Sequence, residues 1–189
     1  IIEHEFCNAT MAWKLGIITP KAHRLIMEDE RKGIIYDRIV GEILSVKFNE
    51  SSERVYDEWM DKFVDFHKQL MQHNIDDVIS YKDFLKMFAT DEETIAKINA
   101  LADGDCFIHG DLHLENVMLD QNNQLVLIDM MNVCKGTELY DVARTYFLLS
   151  YDSNIQRKYL EKMGYSVEDI MPYLDVILRV RENEMSCIY

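Results

Sequence analysis

The 189-residue chain reads as an α+β fold, mostly helical with small β elements, on three observations. Apolar residues recur at helical spacing over most of its length. Two short runs near the start read as paired strands. A strand–turn–strand segment then interrupts the helices near the middle. Apolar residues make up 48% and charged residues 29%, which supplies a sizeable core and sets the chain apart from disordered sequences.

The elements follow in order. Ile2, Phe6, Ala9 and Trp13 form a helical stripe, Gly16 after Leu15 suits a C-cap, and Pro20 forbids continuation. Residues 22–28 and 33–39 read as two strands, with the polar stretch Asp29 to Gly33 as their turn. Gly41 marks a change of character, and the chain beyond it is mostly helical. Ser51 or Ser52 caps a long helix that turns Val55, Trp59, Phe63, Phe66 and Leu70 inward. Shorter helices are predicted near 80–88 and 91–101, the second with Thr90 and Glu93 as a capping box. Phe107-Ile108 leads into a loop. Val117 to Leu119 and Leu125 to Ile128 are strands joined by a turn over 120–123, and helix resumes near Glu138 with Tyr140, Ala143, Tyr146, Phe147 and Leu149 on its buried face.

The net charge is −14, and no basic patch marks a nucleic-acid binder. The acidity fits a cationic or amine-bearing ligand, or it simply serves solubility. Cys7, Cys106, Cys134 and Cys187 form no CxxC pair and read as free thiols in a reducing compartment. With neither a signal peptide nor an apolar run long enough to span a membrane, a cytoplasmic location is expected. The chain opens Ile1-Ile2-Glu3, without an initiator Met and apparently within a helix, so a truncated polypeptide is expected.

The stretch that carries chemistry is Phe107-Ile108-His109-Gly110-Asp111-Leu112-His113-Leu114-Glu115-Asn116, closed by Leu127-Ile128-Asp129. It gives His-x-Asp, an Asn five residues after the Asp, a hairpin, and a second Asp after an apolar strand. Phosphoryl transfer asks little covalent chemistry of a protein. It asks that the attacking hydroxyl, the γ-phosphate and Mg²⁺ be held in line with their charge neutralised. Asp111 would orient the hydroxyl and accept its proton. Asn116 and Asp129 offer the oxygen ligands that a hard ion prefers, and a short hairpin can bring both to one metal. The plainer alternative is a polar loop in which Asn116 caps a helix.

His109-Gly110-Asp111-Leu112-His113 resembles the HGDLH motif of the aminoglycoside phosphotransferase and choline kinase-like family. That resemblance implies a protein-kinase-like fold: a partial N-lobe over 1–40, reduced to a helix, a β hairpin and the hinge, and a helical C-lobe over 41–189. Gly136 and the Tyr140-Asp141 pair fit the family pattern after the second Asp, and imply that Asp141 ties the catalytic loop by hydrogen bonds while His109 is structural. His113 either assists at the phosphates or packs the loop. Tyr36 to Gly41 resembles the hinge, which implies adenine bonded to the Asp37 carbonyl and the Ile39 amide. The N-lobe helix should carry a Glu facing the nucleotide. Glu3 and Glu5 are the candidates, and Glu5, on the apolar stripe, is the better placed. ATP or GTP, Mg²⁺ and a small hydroxyl-bearing substrate are the implied ligands, with Glu182 and Glu184 as acidic candidates near the substrate.

The chain departs from the family in lacking its first strands, its Gly-rich phosphate loop and its strand Lys. Such a chain would grip Mg²⁺ and the hinge side of a nucleotide without a roof over the phosphates. The expectation is an intact gene product that is a kinase, and a chain that alone is inactive or nearly so. A nucleotide-binding pseudokinase or regulatory module is the competing reading. A protein kinase fits poorly, because only about a dozen residues separate Asp129 from Asp141 and no Ala-Pro-Glu follows.

Overall fold

A computed structural model describes residues 2–188 and, within them, all side chains except those of residues 53, 182 and 184–188. The candidates Glu182 and Glu184 therefore lie outside the described residues. The helices are α1 (Ile2–Lys14), α2 (Leu44–Glu50), α3 (Glu53–Met71), α4 (Tyr81–Lys86), α5 (Glu92–Ala100), α6 (Glu138–Leu148), α7 (Ser153–Met163) and α8 (Val167–Ile188). The strands are β1 (Ala22–Glu28), β2 (Arg31–Tyr36), β3 (Gly41–Ile43), β4 (Cys106–Ile108), β5 (Val117–Asp120), β6 (Leu125–Leu127) and β7 (Cys134–Gly136). The chain divides into two compact units, Ile1–Phe66 with Leu112–Val133, and His67–Asp111 with Cys134–Tyr189.

In the first unit, α1 packs against β1 and β2, and its Ala9 and Ala12 are buried. It ends where the sequence places its cap. The Ile17 amide reaches the Ala12 carbonyl, the Gly16 amide reaches that of Trp13, and Gly16 takes φ +83°. The β1–β2 hairpin is tighter than the sequence suggests. Asp29 and Glu30 both adopt positive φ, 47° and 64°, so a two-residue turn of the twist that strands prefer pairs Glu28 with Arg31. The second strand is therefore Arg31–Tyr36, not 33–39, and the predicted five-residue turn shrinks to two. β3 is a strand the sequence did not predict: it joins the predicted hairpin strands β5 and β6 in an antiparallel sheet of order β3, β5, β6, with Gly41 opposite Asp120 and Val117 opposite Leu127.

In the second unit, β4 pairs with β7, and α6 packs against α7 and α8 while α5 packs against α4 and α8. Tyr81, Tyr140 and Tyr159 fill its core beside Ile170, Val176 and Ile177. The N-cap of α5 is Asp91 and not Thr90. The Asp91 carboxylate accepts the Thr94 amide at 2.8 Å and the Thr94 hydroxyl at 2.7 Å, a stronger pair of bonds than a threonine hydroxyl offers. Along α3, whose residues up to Phe66 belong to the first unit, the buried face is Met60, Phe63, Val64, Phe66 and Leu70, and Val55, 38% exposed, lies off it. Among the described residues no helix is long and apolar enough to cross a membrane.

Candidate active site

The loop that bears Asp111 grows out of the second unit. β4 is pinned by its pairing with β7 and by the Phe107 amide bonding the His73 carbonyl at 2.7 Å, so His109, wholly buried, begins the loop from a fixed point. Gly110 takes φ +75°, a conformation costly for any residue with a Cβ. Asp141, in the first turn of α6, is wholly buried and reaches this turn. One carboxylate oxygen accepts the His109 amide at 3.1 Å and the other accepts the Gly110 amide at 3.1 Å, while His67 Nε2 lies 3.0 Å from the first. Arg144, also buried, donates Nε to the Gly110 carbonyl at 3.0 Å. The Gly110 residue is thus held on both its amide and its carbonyl, and Asp111 follows it directly. Burial alone would push the Asp141 carboxyl up. The His67 hydrogen bond and charge, the field of His109 and the Gly110 amide outweigh burial and hold it below the usual carboxylate range.

The oxygen ligands read for a metal are carried by the β5–β6 hairpin of the first unit. The Ile128 amide donates to the Asn116 carbonyl at 3.1 Å, which ties the residue before Asp129 to Asn116 across the hairpin base. The Leu127 amide donates to Ile18 at 2.8 Å and anchors β6 to the segment after α1. Asp129 itself sits at φ +62°, a turn conformation that Asp tolerates, and its Oδ1 accepts the Met131 amide at 3.3 Å. Asn8 of α1 is buried and donates Nδ2 to the Met130 carbonyl at 2.9 Å. That bond fixes α1 against the turn that presents Asp129.

Glu5 lies one helical turn before Asn8, on the same face. It lines a cavity of about 230 Å³ together with Tyr36, Asp37, Ile39 and Asp129 and the apolar Met118 and Met130. Tyr36 donates its hydroxyl to Glu5 Oε1 at 2.9 Å. Burial, that bond, and the negative charges of Glu5 and Asp129 push the Tyr36 phenol well up, so it stays a donor. Glu3 is engaged elsewhere, with Lys32. Asp37 and Ile39 fall between β2 and β3, outside both ladders. The Asp37 amide bonds the Lys21 carbonyl at 3.0 Å, and its carboxylate lies 2.7 Å from His23 Nε2.

Four of the residues singled out from sequence, Glu5, Asp37, Ile39 and Asp129, therefore share one cavity, and Asn116 is tied to its edge through Ile128. His113 is not among the cavity's lining residues, and its Nδ1 accepts the Glu115 amide at 3.3 Å within its own loop. The donor chemistry fits magnesium, which takes one or two protein oxygens and leaves the rest to phosphate and water. Among the described residues no cluster of three or more His, Cys, Asp or Glu competes for a metal. Sequence reasoning missed Tyr36 as the partner of Glu5, since it stood inside the hinge motif, and missed Asn8, whose only signal was a polar residue on the buried side of α1.

The model of the phosphotransferase enzyme family matches residues 79–164, the stretch that holds Asp111, Asn116, Asp129 and Asp141. Among solved structures, an aminoglycoside-3'-phosphotransferase of type VIII superposes with a TM-score of 0.68 at 19% identity, over 92% of this chain and 79% of that one. The aminoglycoside phosphotransferase APH(3'')-Id of Streptomyces rimosus, in complex with ADP and streptomycin, gives a TM-score of 0.64 at 14% identity, over 92% and 80%. The choline kinase LicA of Streptococcus pneumoniae gives 0.63 at 14% identity, over 98% and 71%. No curated protein sequence matches the chain. The fold is the α+β, protein-kinase-like one, and the family match bears out the resemblance read from the catalytic-loop motif.

Proposed function

We propose that the chain carries the site of an ATP- or GTP-dependent phosphotransferase that moves the γ-phosphate to a hydroxyl of a small molecule. The observation that carries this reading is the cavity that joins the hinge residues Asp37 and Ile39 to Glu5 and Asp129. The adenine would take the Ile39 amide and the Asp37 carbonyl, and Asn116 and Asp129 would hold Mg²⁺. When bound, the ion would neutralise phosphate charge. Asp111 would orient the acceptor hydroxyl and take its proton. His113 would help at the phosphates by moving off its local bond to Glu115. The net charge of −14 favours a cationic acceptor, and the described cysteines, all free thiols, suit a reducing cytoplasm.

The test is transfer of the labelled γ-phosphate from ATP and from GTP to a panel of aminoglycosides, choline and sugars, with the full-length gene product beside its Asp111→Asn variant. Transfer by the first and a drop of at least about a hundredfold in the second are expected, the range of an acid–base group lost. Nucleotide binding without transfer to any hydroxyl compound would support a non-catalytic nucleotide-binding module instead.

A further inference from the structure

The second unit contains a polar chain that the proposed reaction does not by itself call for. His67 is wholly buried on α3. Its Nδ1 lies 2.8 Å from the hydroxyl of Tyr159, a wholly buried residue of α7, and the two rings stack with centroids 6.0 Å apart. Its Nε2 lies 3.0 Å from Asp141 Oδ2. Leu or Met would fill the position of His67 without the cost of drying an imidazole and a phenol, so the polar choice needs a reason.

The reason is at the far end of the chain. An ionised carboxylate only accepts hydrogen bonds, so Nε2 carries the hydrogen that points to Asp141 in either charge state of the ring. Two further donors meet the same carboxylate, the amides of His109 and Gly110. A carboxylate on a short side chain can rotate about its bond to Cβ, which moves both oxygens and would break both amide bonds. The ring of His67 adds a third donor, to Oδ2, and Tyr159 meets that ring at its other nitrogen. The Tyr159 phenol is pushed up by burial first and by the charge of Asp141 next, so it remains a protonated donor.

We propose that His67 and Tyr159 are positioning residues: Tyr159 orients the His67 imidazole, the imidazole locks the Asp141 carboxylate, and the carboxylate sets the His109 and Gly110 amides from which Asp111 is presented. The link to Asp111 as a catalytic group rests on the phosphotransferase reading, but the locking of the loop does not. A helix far back in the sequence thereby governs the order of the loop through side chains alone. Nothing in the HGDLH pattern points to it.

Site-resolved amide hydrogen exchange tests this without any turnover. In His67→Leu, the His109 and Gly110 amides should exchange faster by about tenfold or more, the factor expected when a hydrogen bond to a charged group is lost. The Phe107 amide, bonded to the His73 carbonyl, should keep its protection. His67→Gln, whose amide nitrogen can replace Nε2 as donor to Asp141, should restore slow exchange. Tyr159→Phe leaves the packing intact and serves if His67→Leu does not fold. It should loosen the same two amides, and the ring nitrogens of His67 should lose the distinct ¹⁵N shifts of a fixed orientation. Unchanged exchange at His109 and Gly110 in Tyr159→Phe and in any folded His67→Leu, or an equal rise at Phe107, would overturn the proposal. If phosphate transfer is established, the positioning variants should lower kcat and leave the KM for nucleotide in place.

Discussion

Asp141 shows how much one side chain can hold. Wholly buried, it closes two loop amides and faces His67. Replacing it with Ala would strand those donors, and a loss of about 3–5 kcal/mol in urea unfolding is expected, since each buried donor left without a partner costs about 1–3 kcal/mol. Its carboxyl is held below the usual range, so the sign of the pH dependence follows. The stability it supplies is present above the unfolded value of about 4 and is lost as pH falls through the lower folded value. Urea midpoints of the protein should therefore fall steeply below about pH 4, and those of Asp141→Asn should fall less. Asp111, Asn116 and Asp129 could be singled out from the motif because the chemistry proposed for them goes with a fixed local spacing. His67 was not legible, because its partners are Asp141 and Tyr159, 74 and 92 residues away, and no local pattern encodes such a contact.

At the scale of elements, two glycines separate backbone conformation from crowding. A Cβ on Gly16 would meet nothing within 4 Å, but the residue sits at φ +83°. Gly16→Ala should cost about 1 kcal/mol, from strain alone. A Cβ on Gly41 would lie 2.1 Å from the Leu119 carbonyl oxygen, so Gly41→Ala must push β3 off β5. A loss of more than about 2 kcal/mol is expected, because the clash is with backbone that cannot step aside. Thermal unfolding of the two variants, side by side, checks both figures. The cap at Gly16 was readable because Leu15 and Pro20 flank it. The strand at Gly41 was not: β3 has three residues, too few for alternation to declare itself. The tightness of the Asp29-Glu30 turn was hidden for a related reason, since neither residue is the Asn or Gly that usually marks two successive positive φ values.

For the whole molecule, the fold class was legible because helical periodicity and a catalytic-loop motif pointed the same way, and family and fold comparisons agree with them. The partition into compact units was less so, since each unit is assembled from two separate stretches of chain. The central claim is that the cavity bearing Asp129 takes a magnesium–nucleotide. A ligand that binds only the folded state raises its stability, by about 2.7 kcal/mol at a hundredfold excess over Kd, or about 5–11 °C in Tm for a chain of this size. The decisive measurement is the Tm of the protein and of Asp129→Ala with Mg²⁺ alone, with nucleotide alone and with both. The prediction is a rise with both that exceeds the rise with nucleotide alone, and loss of that excess in Asp129→Ala. No rise in the protein under any of the three conditions, or the same metal-dependent excess in the variant, would contradict it.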